Sequence, residues 1–385
     1  MSTADHPAAI SSSSDEGLDG LWRRVIARRS FLKGVGVAGV TAAGTGAVLA
    51  PTAAARRTAG LTDGDVAILR FLAAAELIER DLWGQYTELG GVPDDAQSPG
   101  VPSGGGNKPY VMALQRIDSD MPQYITDNTD DEFSHAAFIN AYLAAHGAPQ
   151  VNLDKFRTLQ GSTATGARDV KRLTNLMDLN VDTSWYTRYR STRNPDFGGG
   201  SFAQLLRIRH QPAIPRDNDD TANPNRIQAI ANTASFHFAF IEQGGSSLYT
   251  TLLQQVSNVE VLRIVASIGG VEVDHFSLWH DKVSNALAPP VAPVTDPETH
   301  LTFPNLSNNH EELKQTNLIL PEPTRFISDS LPLVSIIRPS STKNSGAVAT
   351  IKAFTADNLF KGQSDAFFDA AMELAVKADA AERQC

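Results

Sequence analysis

The 385-residue chain has a single cysteine, Cys385, which excludes an internal disulfide and any cysteine-rich zinc or iron–sulfur site. Any metal must therefore be held by carboxylate, imidazole or backbone oxygen. Positive charge is in deficit: 33 Lys and Arg stand against 43 Asp and Glu, for a formal charge of −10. That is the wrong sign for broad nucleic-acid binding, which needs a basic surface to displace counterions. Long apolar runs are missing too. The stretch Gly34 to Ala50 is apolar but dilute, made of Gly, Ala, Val and Thr with little Leu, and is short for a span of roughly 20 residues. There is no Gly-x-Ser-x-Gly, no His-Glu-x-x-His and no P-loop, so the common hydrolase and nucleotide chemistries have no carrier. No fixed-period repeat suggests a solenoid. The hydrophobic share of 42% is enough for a packed core.

What is present begins with an address. Residues 1–22 are small, polar and Ser-rich. Arg28-Arg29-Ser30-Phe31-Leu32-Lys33 then precedes the dilute apolar stretch, and Pro51-Thr52-Ala53-Ala54-Ala55 supplies the small residues that a signal peptidase needs. The pattern resembles a twin-arginine signal. This resemblance implies that residues 1–55 are removed, that the partner at this stage is the twin-arginine export machinery, and that the chain crosses already folded. The destination is periplasmic, cell-wall or extracellular, with no stable membrane span after cleavage. Gly34-Val35-Gly36-Val37-Ala38-Gly39 matches a dinucleotide-binding glycine pattern, but it follows no strand and lies inside the signal core.

The remainder is read mainly as helices. The first covers about 62–88, with Thr62 as N-cap and Gly90-Gly91 and Pro93 as its stop. A Gly/Pro/Ser-rich loop follows at 90–109. The second helical region spans about 110–146, with a break near Pro122 and resumption at Thr129. The third runs about 225–256 and the fourth from Ser257 to about 286. A long connection, 147–224, carries Phe156, Trp185, Tyr186, Tyr189, Phe197 and Phe202, which suits an ordered cover. Beyond 288 the chain is Pro-rich, with β-like runs at 332–338 and 347–354 and an Ala-rich helix at about 356–382.

Two of these helices repeat one unit. Glu132-Phe133-Ser134-His135 and Glu272-Val273-Asp274-His275 are both Glu-x-x-His, which puts the two side chains on one helix face. Each is preceded by a helix with a glutamate embedded in apolar sequence, Glu76 and Glu242. An unpaired carboxylate there is costly, so something cationic should compensate it. Glu242 and Glu272 each lie 15 residues from Ser257, which sets them level at roughly 22 Å from a turn placed there. Glu76 and Glu132 come level only if the second helix breaks around Met121-Pro122.

The order Glu, Glu-x-x-His, Glu, Glu-x-x-His resembles the ligand set of di-iron carboxylate four-helix bundles. The chain resembles the ferritin-like superfamily, and within it the exported bacterial ferritin-like proteins, including desiccation-related ones. The likeness is carried by Leu69–Trp83, Asp131–Ala145, Phe236–Leu253 and Ile268–Trp279. It implies an all-α fold: a ferritin-like four-helix bundle over 60–287, with 147–224 as a long crossover between helices 2 and 3 and 288–385 as a C-terminal extension. It also implies a metal site of Glu76, Glu132, His135, Glu242, Glu272 and His275. In that site Glu132 and Glu272 bridge two ions, Glu76 with His135 caps one, and Glu242 with His275 caps the other. The implied cofactor is two Fe ions, with Mn or Zn as substitutes, and the implied partners are O₂ or peroxide. The expected chemistry is ferroxidase-like oxidoreduction. The rival expectation is a non-enzymatic, stress-related structural or metal-holding protein. Glu132 alone also fits a capping box with Thr129. Glu79 reads as a partner of Arg80 or of solvent, His237, His280 and Asp274 as bystanders, Tyr249 and Trp279 as packing, and Tyr124, Asp127, Asp130 and Asp131 as solvated.

Overall fold

A computed structural model describes residues 60–94, 97–188, 203–286, 290–306, 321, 323–324, 327–336 and 341–384. The export signal expected at 1–55, and Tyr189, Phe197 and Phe202, lie outside these residues. By its internal packing the chain divides into Met1–Arg56 with Asp95–Pro99, and Arg57–Asp94 with Gly100–Cys385. All elements named below belong to the second unit. No helix among the described residues is long and apolar enough to cross a membrane.

The fold is all-α. Helix α1 is Asp63–Gly90; its N-cap Thr62 and Asp65 form a reciprocal capping box. Helix α2, Lys108–Ile117, starts on the side chain of Asn107. Helix α3 is Met121–Ala145. The expected break therefore falls at 118–120, earlier than Pro122. Pro122 instead sits in the first turn of α3, where its missing N–H leaves no helical bond unmade. A one-turn helix α4, Trp185–Arg188, interrupts the crossover. Helix α5, Pro224–Leu252, and helix α6, Val259–Ala286, follow.

The helices pair as two antiparallel hairpins, α1 with α3 and α5 with α6. In the first, Thr87 meets Thr129 near one end while Glu76 meets His135 farther along. In the second, Gly269 packs on Tyr249 and His275 on Glu242. Helix α5 is buried on nearly every side. Its sequence accounts for this: between Ile227 and Leu252 it carries one carboxylate, Glu242, and no Lys or Arg.

The described parts of the crossover, 147–188 and 203–224, are mostly loop, and of its aromatics Phe156, Trp185 and Tyr186 are buried. It is clamped to α1 by Asp81. One carboxylate oxygen of Asp81 accepts from the N–H groups of Leu173 and Thr174 and from the Thr174 hydroxyl.

The C-terminal part departs from expectation. A two-stranded antiparallel ribbon, β1 Val294–Thr295 with β2 Thr302–Phe303, lies outside the expected runs. The described part of 332–338 holds no regular strand, and 347–354 is helical. Helices α7 (Thr342–Ser345), α8 (Ala347–Ala356) and α9 (Asp365–Asp379) replace the single helix expected at 356–382. Asn358 and Gly362 take positive φ (66° and 93°) in the turn between α8 and α9. Helix α9 packs on the outer side of α1.

Candidate metal centre

The two hairpins meet at a cluster of buried carboxylates. Glu76, Glu132, His135 and Glu272 form one set, and Glu132, Glu242, Glu272 and His275 another; within each set the ligand atoms lie within 4.8 Å of one another. All six residues expected as ligands are thus together, with Glu132 and Glu272 common to both sets. Glu132 gives one oxygen to each half: Oε2 is 3.2 Å from Nδ1 of His135, and Oε1 is 3.2 Å from Nδ1 of His275. His135 Nδ1 is also 3.4 Å from Glu76 Oε2 and 3.8 Å from Glu272 Oε1, and His275 Nδ1 is 3.2 Å from Glu242 Oε2.

The capping-box alternative for Glu132 fails. Glu132 lies in the middle of α3 and is fully buried, and the Thr129 hydroxyl bonds to the carbonyls of Ile125 and Trp83 instead.

A second layer of side chains holds the first. Asn128 Nδ2 donates to Glu132 Oε1 (2.9 Å) and Glu242 Oε1 (3.2 Å), and its own oxygen accepts from Trp279 Nε1 (2.7 Å). The Tyr249 hydroxyl donates to Glu76 Oε1. Both aromatics are therefore more than packing. Asp131 is exposed as expected, yet its Oδ2 lies 3.1 Å from Nε2 of His275. A carboxylate on Nε2 favours a proton there and leaves the Nδ1 lone pair facing the cluster. His237 and His280 do stand apart: His237 bridges the Tyr86 hydroxyl and Asp357, and His280 stacks on Tyr186.

Glu79 was misread. It is 5% exposed, and its Oε2 has no hydrogen-bond partner among the described residues. Arg80 lies over the Phe133 ring, 4.3 Å from the centroid, and makes no ion pair among the described residues. The fifth carboxylate therefore belongs to the buried cluster. The spacing that could have flagged Asn128 and Tyr249 is also plain: Asn128 is one turn before Glu132, and Tyr249 two turns after Glu242.

Electrostatically the cluster is under strain without a cation. Burial, then the neighbouring charges, pushes Glu79 and Glu272 well above the ordinary carboxylate range. Burial raises Glu76 to about 7, against relief from His135. Burial also opposes ionised Glu132, but hydrogen bonds from His135 and His275 outweigh it and hold that carboxyl far below its usual value. Burial likewise opposes charge on His135, yet Glu76 and Glu132 push its pKa up to about 12. Both oxygens of Glu272 are buried without a hydrogen-bond partner among the described residues.

Gly245 makes room for that carboxylate: a Cβ there would collide with Oε2 of Glu272. Oxygen and imidazole donors in overlapping sets, a pair of unpartnered carboxylate oxygens and a glycine cradle fit a pair of divalent cations.

The sequence model of the ferritin-like domain matches residues 64–285, more than half of the chain. The chain belongs to that family. The matched segment of the ferritin-like domain starts inside α1 and ends inside α6, so it contains every residue of the cluster. No curated protein and no solved structure matches the chain.

Proposed function

We propose that this ferritin-like protein is exported by the twin-arginine route and holds two metal ions, iron by preference, at which Fe(II) is oxidised or O₂ or peroxide is reduced. The observation that carries the reading is the shared use of Glu132, one oxygen toward each histidine. In this reading Glu132 and Glu272 would serve both ions, Glu76 and His135 would hold one, and Glu242 and His275 would hold the other. When bound, an iron pair supplies two electrons at adjacent positions.

The chain's own residues do the rest. Asn128 orients Glu132 and Glu242 together, the Tyr249 hydroxyl fixes Glu76, and Asp131 fixes the ring of His275. Glu79 adds a fifth buried carboxyl beside the site, pushed well above the ordinary carboxylate range by burial and by the neighbouring glutamates. A cavity of about 460 Å³ reaches His275 and is lined by Asp127, Asp131, Asp274 and Asp281. Four carboxylates there favour the approach of cations.

The test is metal analysis of protein recovered after export, then anaerobic Fe(II) loading and exposure to O₂. Two ions per chain with O₂ consumption on repeated Fe(II) addition support the reading. Stable metal without turnover would favour the stress-related metal-holding alternative, and absence of metal would overturn both.

A further inference from the structure

A second site lies on the other flank of α1. A cavity of about 560 Å³ opens between α1, α3 and the crossover. That volume is within the range of small-molecule pockets, about 300–1,000 Å³. In a chain of net charge −10 its walls are basic: Arg80, Arg157, Arg168, Lys171 and Arg172 line it, against Asp81 and Asp154.

Two of these cations are already balanced. Arg157 pairs with Asp81 and Asp154, and Arg172 with Glu88. Arg80, Arg168 and Lys171 have no carboxylate partner among the described residues. Arg80 is half-buried and uses only the face of its guanidinium, stacked on Phe133, so its in-plane N–H groups are left for a ligand. Burial, then the adjacent Arg157, lowers the pKa of Arg80, partly offset by Asp154 and Asp81. Arg172 is 95% buried by residue area, and its Nε has no hydrogen-bond partner among the described residues. Apolar wall is supplied by Leu77, Phe133 and Leu153.

We propose that this cavity binds a small organic oxyanion carrying two or more charges, with Arg80 as the central ligand-binding residue and Arg168 and Lys171 as its rim. Guanidinium groups recognise planar or tetrahedral oxyanions by paired N–H donors, and the apolar wall takes the carbon skeleton. The inference does not depend on the metal reading.

Calorimetric titration of the full chain with glucose 6-phosphate, succinate, inorganic phosphate and neutral glucose tests it, with and without the uncharged chelator 1,10-phenanthroline. Binding of the phosphate ester or the dicarboxylate, but not of glucose, is expected at a Kd of about 1 mM or tighter. Whichever of the two binds more tightly identifies the class of anion. Arg80→Gln should weaken binding about tenfold or more, the cost of one charge-assisted contact. The exposed pair Arg168→Gln and Lys171→Gln should weaken it as well, in a protein whose fold is unaffected. Failure of both organic anions to bind, binding that vanishes with chelator, or affinity unchanged in all three variants would overturn the proposal.

Discussion

The two halves of the carboxylate–histidine cluster are built on one plan and differ at one position. In α1 the residue three after the glutamate is Glu79; in α5 it is Gly245. The glycine gives its space to Glu272, whereas the glutamate adds a fifth buried carboxylate. The outer contacts differ as well. Nε2 of His275 has Asp131 beside it and an aspartate-lined cavity beyond, while Nε2 of His135 has no carboxylate within ion-pair distance among the described residues. The α5/α6 half therefore has the aspartate-lined approach, and the α1/α3 half has the additional buried carboxyl.

Substitutions can break this comparison. The largest effect should come from the residues that both halves use: Glu132→Ala or Glu272→Ala should abolish binding of both ions, whereas Glu242→Gln should remove one. Elemental analysis against protein concentration reads the stoichiometry. A full complement of metal in either alanine variant would refute the shared role.

Gly245→Ala comes next, and its sign is diagnostic. In an ordinary helix interior the change would stabilise by about 1 kcal/mol. Here the methyl group would displace the Glu272 carboxylate. Thermal melting should show a lower Tm, and metal affinity should fall by about 100-fold, as for loss of an orienting contact. An unchanged or raised Tm would show that Glu272 tolerates the methyl.

The effect of pH follows from the raised carboxylates. The folded pKa of Glu76, about 7, lies above its ordinary 4.5, so the metal-free fold favours the protonated form and loses that stability as pH rises through about 7. Metal displaces the proton, so affinity should rise with pH, by about tenfold per unit near pH 6–7 for each proton released. The gain in Tm on adding metal should grow between pH 6 and 8, and a gain that shrinks over that interval would contradict the assignment. The smallest effect should be that of Asp131→Asn at the rim. It should weaken the α5/α6 ion by about tenfold and leave the other alone, as read by competition with a metal-sensitive dye.

How far the sequence revealed this centre depends on whether a cue was local. The paired Glu-x-x-His units and the embedded Glu76 and Glu242 could be read because spacing along one helix places them on one face. Glu79 could not, because a glutamate beside an arginine looks solvated until the structure turns Arg80 onto Phe133. Tyr249 and Asn128 are on the right faces, but neither residue type signals a ligand contact without its partner across the bundle. In the tail, Val348, Thr350 and Ile351 resemble a strand, and the reason they form α8 is remote: the carboxylate of Asp379, on α9, accepts from the N–H groups of Ala347 and Val348. Such a cap cannot be seen in a local window.

The packing of α9 on α1 has a consequence in time. Asp365–Asp379 covers a helix that was synthesised nearly 300 residues earlier, and Ala381 sits against Gly64 at its start. During synthesis α1 must wait with that side bare, because its cover has not yet left the ribosome. Contacts between such distant segments close slowly and late. A chain cut short before α9 would leave the helix that carries Glu76 and Glu79 uncovered on that side.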